Sequence, residues 1–406
     1  MRALKFVKYL PEYGWKPTVL SAHPSIYDPN LLDSALEKEI AGTNIIRVWY
    51  PNKGMVRSGV ATSVPVPGRE NILTSTKQTV KNLVVPDLQI PWIFPAFQAL
   101  RRLHRESHVD AIITTSPPNS AHLLGYLARQ TLGIPWVMDY RDQWVGNPLY
   151  KTAAWRMRLE SMLEGMCLRS ADGVVAATPP IADNYREAEP RGPVIIITNG
   201  FDPEDFSAYP RAFPEVFTVS YVGSLSPTRS PEPFLLAWRS FINRLGLEPR
   251  QVRLNFTGPV YQLDLNSMVA SDEILRQSVN LRSFVTHGEA LQEMMNSSAL
   301  LLLTSNAEGG ATVLTGKVFE YIAANKPIIC VAPPGALSEL IEQRQLGASF
   351  ESDRIEELSK YVETLFLRHC DGTLKSVTGR RRVEDFDRRI LSGKLADLLD
   401  QVQNQG

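Results

Sequence analysis

The stretch Gly316-Lys317-Val318-Phe319-Glu320 sets an ammonium and a carboxylate one helical turn apart. It follows an apolar strand and a diglycine loop, Glu308-Gly309-Gly310-Ala311-Thr312. Thr315 is placed to cap a helix here, and the free N–H groups and positive dipole end of that helix form an anion site to which Lys317 adds charge. Glu320 stands where a carboxylate can accept two hydroxyl hydrogen bonds from a ribose. A second anion-binding candidate is the strand end Tyr221-Val222-Gly223-Ser224-Leu225, because a glycine loop approaches a phosphate closely and Arg229 offers a two-pronged clamp. Taken alone, a tight turn with a surface arginine explains that loop as well. A third candidate is Asp139-Tyr140-Arg141-Asp142, where an aspartate can orient or deprotonate a hydroxyl and Arg141 can pair with a carboxylate or phosphate. The plainer alternative is an internal Arg–Asp pair. His122 is a weaker candidate, since a lone histidine on an apolar helix is more often structural.

These residues need a scaffold of parallel strands. Continuous apolar runs at residues 110–115, 134–139, 173–178 and 194–197 alternate with helical patterns at 120–132 and 153–169, as in a parallel sheet covered on both faces. A second set of strands follows at 217–222, 252–257, 299–304 and 327–331. Between the sets, residues 201–214 hold three prolines and little apolar periodicity, which reads as a linker. The expected division is 1–205, 215–375, and a C-terminal helical segment 376–406 packing back on the first domain. Two doubly wound domains then face a cleft, with ligands at the carboxyl ends of strands.

Composition narrows the function. The chain has 406 residues with 43 basic and 43 acidic side chains, which argues against a dedicated nucleic-acid binder. The first half is slightly basic and the second slightly acidic. Cys167, Cys330 and Cys370 lack any metal or disulfide spacing. No apolar run is long enough to span a membrane, and the first dozen residues carry Arg2, Lys5, Lys8 and Glu12 rather than a signal-peptide core, so a cytoplasmic protein is expected. No G-x-G-x-x-G follows any strand, which disfavours a nicotinamide dehydrogenase.

Together the segments Lys5–Trp15, Thr115–His122, Pro135–Asp142 with Trp144, Thr198–Asp202, Tyr221–Ser226 and Gly316–Ala324 resemble, in order and spacing, the family 4 glycosyltransferases of the GT-B fold, most closely bacterial members that build surface polysaccharides. The resemblance implies an α/β fold of two Rossmann-like domains. It implies sugar transfer with retention from a nucleotide-sugar donor to a glycan or lipid-linked acceptor, without cofactor or metal. In the family-implied mechanism the diphosphate leaves on the acceptor's face and its oxygen helps remove the acceptor proton. The second glutamate of the family's Glu-x7-Glu motif falls on Glu320; the first falls on Thr312, with Glu308 nearby in the same loop. The family's phosphate-binding arginine is Ser224 here, and its lysine matches Arg229. Asp142, Arg229 and Lys317 are therefore the implied catalytic set. Gly223, Ser224, His287, Glu308, Thr312, Thr315, Gly316 and Glu320 line the donor side with Arg229 and Lys317, and His122, Asp139, Arg141 and Asp142 the acceptor side. The departures at Thr312 and Ser224 leave a non-catalytic sugar-nucleotide binder, or a GT-B epimerase, as alternatives.

Two further expectations follow. Relatives show a central strand and glycine turn just before the segment matching residues 2–10, so the first domain is expected to lack its N-terminal strand. Residues 88–105 set aromatics beside a basic cluster, suited to peripheral contact with an anionic membrane, although a core-packed helix with a solvated basic end fits them equally.

Overall fold

The computed structural model describes residues 2–27, 37–51, 84–147, 152–210, 212–283, 285–304, 314–376 and 383–404. The chain forms two compact units, residues 1–199 with 388–406, and residues 200–387.

The first unit begins with α1 (Arg2–Tyr9), which buries Phe6, Tyr9 and the stems of Arg2 and Lys5 before Pro11 diverts the chain. Strands β1 (Thr18–Ala22) and β2 (Asn44–Val48) pair in parallel. Then come α2 (Ile93–Glu106), β3 (Ile112–Ser116), α3 (Ser120–Leu132), β4 (Trp136–Tyr140), α4 (Ala154–Leu168), β5 (Gly173–Ala176), α5 (Pro179–Glu187) and β6 (Val194–Ile196). The sheet of this unit lies in two pieces, β1-β2 and β3-β4-β5-β6, all parallel. Alternation along β4 explains its apolar run. Val137 joins Phe6, Leu10 and Leu395 on one face, while Trp136, Met138 and Tyr140 join Cys167 and Tyr185 on the other.

The second unit opens with α6 (Pro203–Ser207), continuing through β7 (Phe217–Val222), α7 (Glu232–Leu245), β8 (Val252–Thr257), α8 (Leu265–Ala270), α9 (Glu273–Ser278), β9 (Val279–Arg282) and α10 (His287–Met295). It closes with β10 (Ala299–Leu303), α11 (Lys317–Ala324), β11 (Ile328–Val331), α12 (Ala336–Gln343), β12 (Gly347–Phe350) and α13 (Ile355–Cys370). The parallel sheet runs β12-β11-β10-β7-β8-β9, with one apolar cluster on each face. Residues 201–214 are more than a spacer: α6 sits there, with Phe206 in the core of this unit. The last helix, α14 (Arg388–Gln403), returns to the first unit, where Leu391, Leu395 and Leu399 pack with Phe6 and Leu10. No helix among the described residues is long and apolar enough to cross a membrane.

Two buried titratable groups pull the first unit's stability in opposite directions. Burial pushes His122 down to about 3, against a small opposing pull from the Asp139 charge. The folded state thus keeps it neutral where the unfolded chain takes up a proton, and its contribution is full above the ordinary histidine range and lost as pH falls toward 3. Burial pushes Glu164 up to about 7, partly offset by donors from Tyr185 and Val145. Here the folded state holds a proton that the unfolded chain has released. That contribution is full below the ordinary glutamate range and fades as pH rises through 7. Chemical denaturation should therefore show Glu164→Gln gaining on wild type by about 2–3 kcal/mol between pH 5 and pH 8. A pH-independent difference would show that Glu164 does not titrate in this range.

Candidate functional site

In the second unit, β7 delivers Gly223 to a crowded position. Its φ of +155° is a conformation that L side chains rarely adopt, and a Cβ there would meet Lys317 Nζ at 2.6 Å. Gly223 N–H donates to the Thr257 carbonyl at 2.7 Å, and a Cβ on Gly258 would strike the Gly223 carbonyl oxygen at 2.2 Å. Gly258 is needed for backbone to lie on backbone, whereas at Gly223 it is the positive φ and the Lys317 side chain that disfavour a Cβ. The chain then turns, with Arg229 N–H donating to Ser226 O at 2.8 Å. This brings the Arg229 guanidinium to 3.4 Å from the Ser224 carbonyl and 3.5 Å from its hydroxyl. The Tyr221 hydroxyl donates to the same carbonyl at 2.7 Å. Arg229 Nε is buried with no hydrogen-bond partner among the described residues.

Lys317 is the first residue of α11. Gly316, with helical φ and ψ, occupies the N-cap and makes no side-chain cap bond, so the cap lies one residue beyond the expected Thr315. The Thr315 carbonyl still accepts from Val318 N–H at 3.2 Å, so the difference is within the single turn over which helix ends vary. Burial lowers the pKa of Lys317; the Glu320 carboxylate opposes this and the Arg229 charge adds to it. Those couplings place Lys317, Arg229 and Glu320 in one electrostatic neighbourhood. A desolvated ammonium beside a guanidinium, a glycine loop and a helix N-terminus is built to receive an anion. Glu308 and Thr312 lie outside the described residues.

His287 opens α10 behind Thr286, its Nε2 buried with no partner. Glu289 is occupied in capping that helix, accepting from Thr286 N–H at 2.8 Å and from its hydroxyl at 2.7 Å.

In the first unit the acceptor-side candidates separate. Asp139 is buried and accepts from Arg2 at 2.7 and 3.0 Å and from the Thr115 hydroxyl at 2.9 Å. It is thus one half of a core ion pair rather than an exposed base. The expected alternative was an Arg–Asp pair, yet the arginine is Arg2, 137 residues away in sequence. His122 is fully buried against the Tyr140 ring, 4.6 Å between centroids. Trp136 Nε1 donates to Thr114 Oγ1 at 2.8 Å, and that hydroxyl lies 2.8 Å from His122 Nδ1. Either tautomer of the ring can make that bond, and with both rings and the hydroxyl packed around it His122 is a core residue. Arg141 and Asp142 differ from these two. Arg141 clamps the turn after β3, with Nε 3.0 Å from the Ser116 carbonyl and a terminal nitrogen 2.6 Å from the Pro117 carbonyl. Asp142 is exposed. Surrounding protein nonetheless raises its carboxyl above the ordinary value, against the neighbouring Arg141 charge.

Sequence reasoning missed Tyr321. Its buried hydroxyl accepts from Val222 N–H at 3.0 Å and donates to the Leu301 carbonyl at 3.1 Å, fixing α11 to the end of β7. A tyrosine in an otherwise apolar helix, Val318-Phe319-Glu320-Tyr321-Ile322, is the signal that could have found it.

Residues 3–200 match the family described as "Glycosyl transferase 4-like domain", and residues 205–369 the family described as "Glycosyl transferases group 1". No curated protein matches the chain. Among solved structures, a sucrose-phosphate synthase from Thermosynechococcus elongatus is similar at 16% identity and TM-score 0.63, over 99% of this chain and 92% of that one. HepE from Anabaena in complex with UDP is similar at 15% identity and TM-score 0.61, over 98% and 95%. A glycosyltransferase from Rickettsia africae is similar at 14% identity and TM-score 0.60, over 99% and 94%. At these identities the structures speak for the fold, which is GT-B. The two family matches follow one another along nearly the whole chain, and the chain belongs to the GT4-type glycosyltransferases.

Proposed function

We propose that the protein transfers a sugar, with retention, from a nucleotide-sugar to a glycan or lipid-linked acceptor in cell-surface polysaccharide or glycolipid synthesis. The observation that carries the donor half of this reading is the convergence of Lys317 and Arg229 on the Gly223 loop, with Glu320 one turn into α11. Lys317, Arg229 and the helix N-terminus stabilise the departing diphosphate, Glu320 holds the ribose, and His287 lies on the base side. HepE, a similar fold, is known in complex with UDP. Charge stabilisation then rests on protein cations, with no metal or cofactor in the assignment.

The acceptor half rests on Asp142 and Arg141, which follow β4. Asp142 orients the acceptor hydroxyl, and the departing diphosphate oxygen takes its proton. Supporting a membrane-borne acceptor, α2 leaves Phe94 72% exposed and carries exposed Arg101, Arg102 and Arg105. Its Ala96 and Leu100 are buried, so the helix packs inward on one side and presents aromatic and basic groups on another. The protein accordingly sits in the cytoplasm and touches the membrane at this helix.

In a thermal-shift screen, a nucleoside diphosphate at about a hundredfold its Kd should raise the midpoint by roughly 5–10 °C, and Glu320→Ala should lose most of that shift. An unchanged shift in the variant would move the donor site elsewhere. In co-sedimentation with phosphatidylglycerol vesicles, wild type should pellet more than Phe94→Asp, and binding should weaken with salt. Equal pelleting of the two proteins would remove α2 from the membrane reading.

A further inference from the structure

The loop that carries Arg141 and Asp142 is fastened from below by groups that take no part in the chemistry assigned above. Glu164 Oε1, on α4, accepts from the Tyr185 hydroxyl at 2.9 Å and from Val145 N–H at 3.4 Å. The Tyr185 hydroxyl in turn accepts from Trp144 N–H at 3.2 Å. Two consecutive amides of the loop therefore end on one carboxylate and its phenol. Both side chains are buried, as is the Trp144 side chain. The loop's entry is held by the same group of residues, because the Tyr140 ring stacks on Tyr185 with 4.2 Å between centroids.

We propose that Glu164 is a positioning residue of the acceptor loop: through the Tyr185 hydroxyl and the Val145 amide it fixes residues 141–147, and hence Arg141 and Asp142. The role of those two residues rests on the transferase reading; the fastening of the loop does not.

The surroundings make this anchor sensitive to its own proton. Facing Glu164 are Tyr185 from α5, Tyr140 from β4, and Glu160 and Cys167 from its own helix; Glu160 is itself paired with Arg156 at 2.7 Å. None of these supplies a direct cation. Burial pushes the carboxyl up to about 7, and the Glu160 charge adds to that. As a carboxylate, Glu164 accepts both loop-side bonds in their stronger, charge-assisted form; protonated, it holds the loop through neutral bonds.

The test is amide hydrogen exchange over peptides spanning 141–147 in the full chain, with wild type and Glu164→Gln compared at the same pH. At pH 8 the segment should exchange about tenfold faster in Glu164→Gln, the loss expected when a charge-assisted bond becomes a neutral one. At pH 5.5, where wild type is also neutral, the two should coincide. Tyr185→Phe, which keeps the ring and removes the hydroxyl, should expose the Trp144 amide at both pH values and serves should Glu164→Gln fold poorly. Equal exchange in this segment at pH 8, or a change spread evenly over the first unit, overturns the proposal. With turnover in hand, Glu164→Gln should lower kcat at pH 8 while the donor KM stays unchanged. Exchange behaving as described with no sugar transfer from any donor would leave the anchor standing and remove the transferase reading. Transfer with unchanged exchange would do the reverse.

Discussion

The hydroxyl of Tyr321 binds three elements of the second unit at one point. It takes the last amide of β7, gives its proton to a carbonyl of β10, and belongs to α11. Leaving that hydroxyl or its partners unpaired in the core would cost on the order of 1–3 kcal/mol, so the helix is held to one height against the sheet. Lys317 begins the same helix four residues earlier. The bond therefore also sets how closely the Lys317 ammonium approaches Gly223. A Cβ on Gly223 would crowd the end of that side chain, and a second glycine at 258 lets the neighbouring loop reach the Gly223 carbonyl. The local sequence rules at this site are consequences of one buried hydrogen-bonded joint.

The first unit solves a related problem by different means. Asp139 is matched by a full cation, Arg2, and by the Thr115 hydroxyl, so its charge is kept. Among the described residues Glu164 has only phenol and amide donors, and burial favours its proton instead. Breaking the first arrangement leaves a buried charge uncompensated, which is a strong penalty. Altering the second changes how firmly a loop is held. One carboxylate thus secures the join of α1 to β4, and the other secures the loop that follows β4.

What the sequence disclosed follows from how local each feature is. Central strands such as β4 and β10 are buried on both faces and appear as unbroken apolar runs. The edge strands β9 and β12 were not visible: β9 buries only Val279, and β12 has no fully buried residue, so neither carries an apolar run. Each stretch proposed for the donor side stood out by itself, because a strand end, a glycine and a helix start follow closely there, but the approach of Lys317 to Gly223, 94 residues away, did not. The Asp139 partner was not legible, since no periodicity links residues so far apart, and His122, weighed as more often structural, is enclosed by Trp136, Tyr140 and Trp144. The helix cap falls on Gly316, one residue beyond Thr315, a shift too small for a local sequence pattern to resolve.

The departure at Ser224 can be weighed in the same terms. Where the family resemblance calls for a cation, this chain has a hydroxyl 3.5 Å from the Arg229 guanidinium and a carbonyl that Arg229 and Tyr221 share. A third cation beside Lys317 and Arg229 would have raised the repulsion that already lowers the Lys317 pKa. With serine, the site carries less repulsion between like charges, and Arg229 is held toward the loop by neutral acceptors. The corollary concerns binding. A dianion beside Lys317 would add to the countercharge of Glu320 and favour the protonated form, in the sense opposite to burial. Fewer cations need not mean a weaker clamp, because each cation removed also removes repulsion from those that stay.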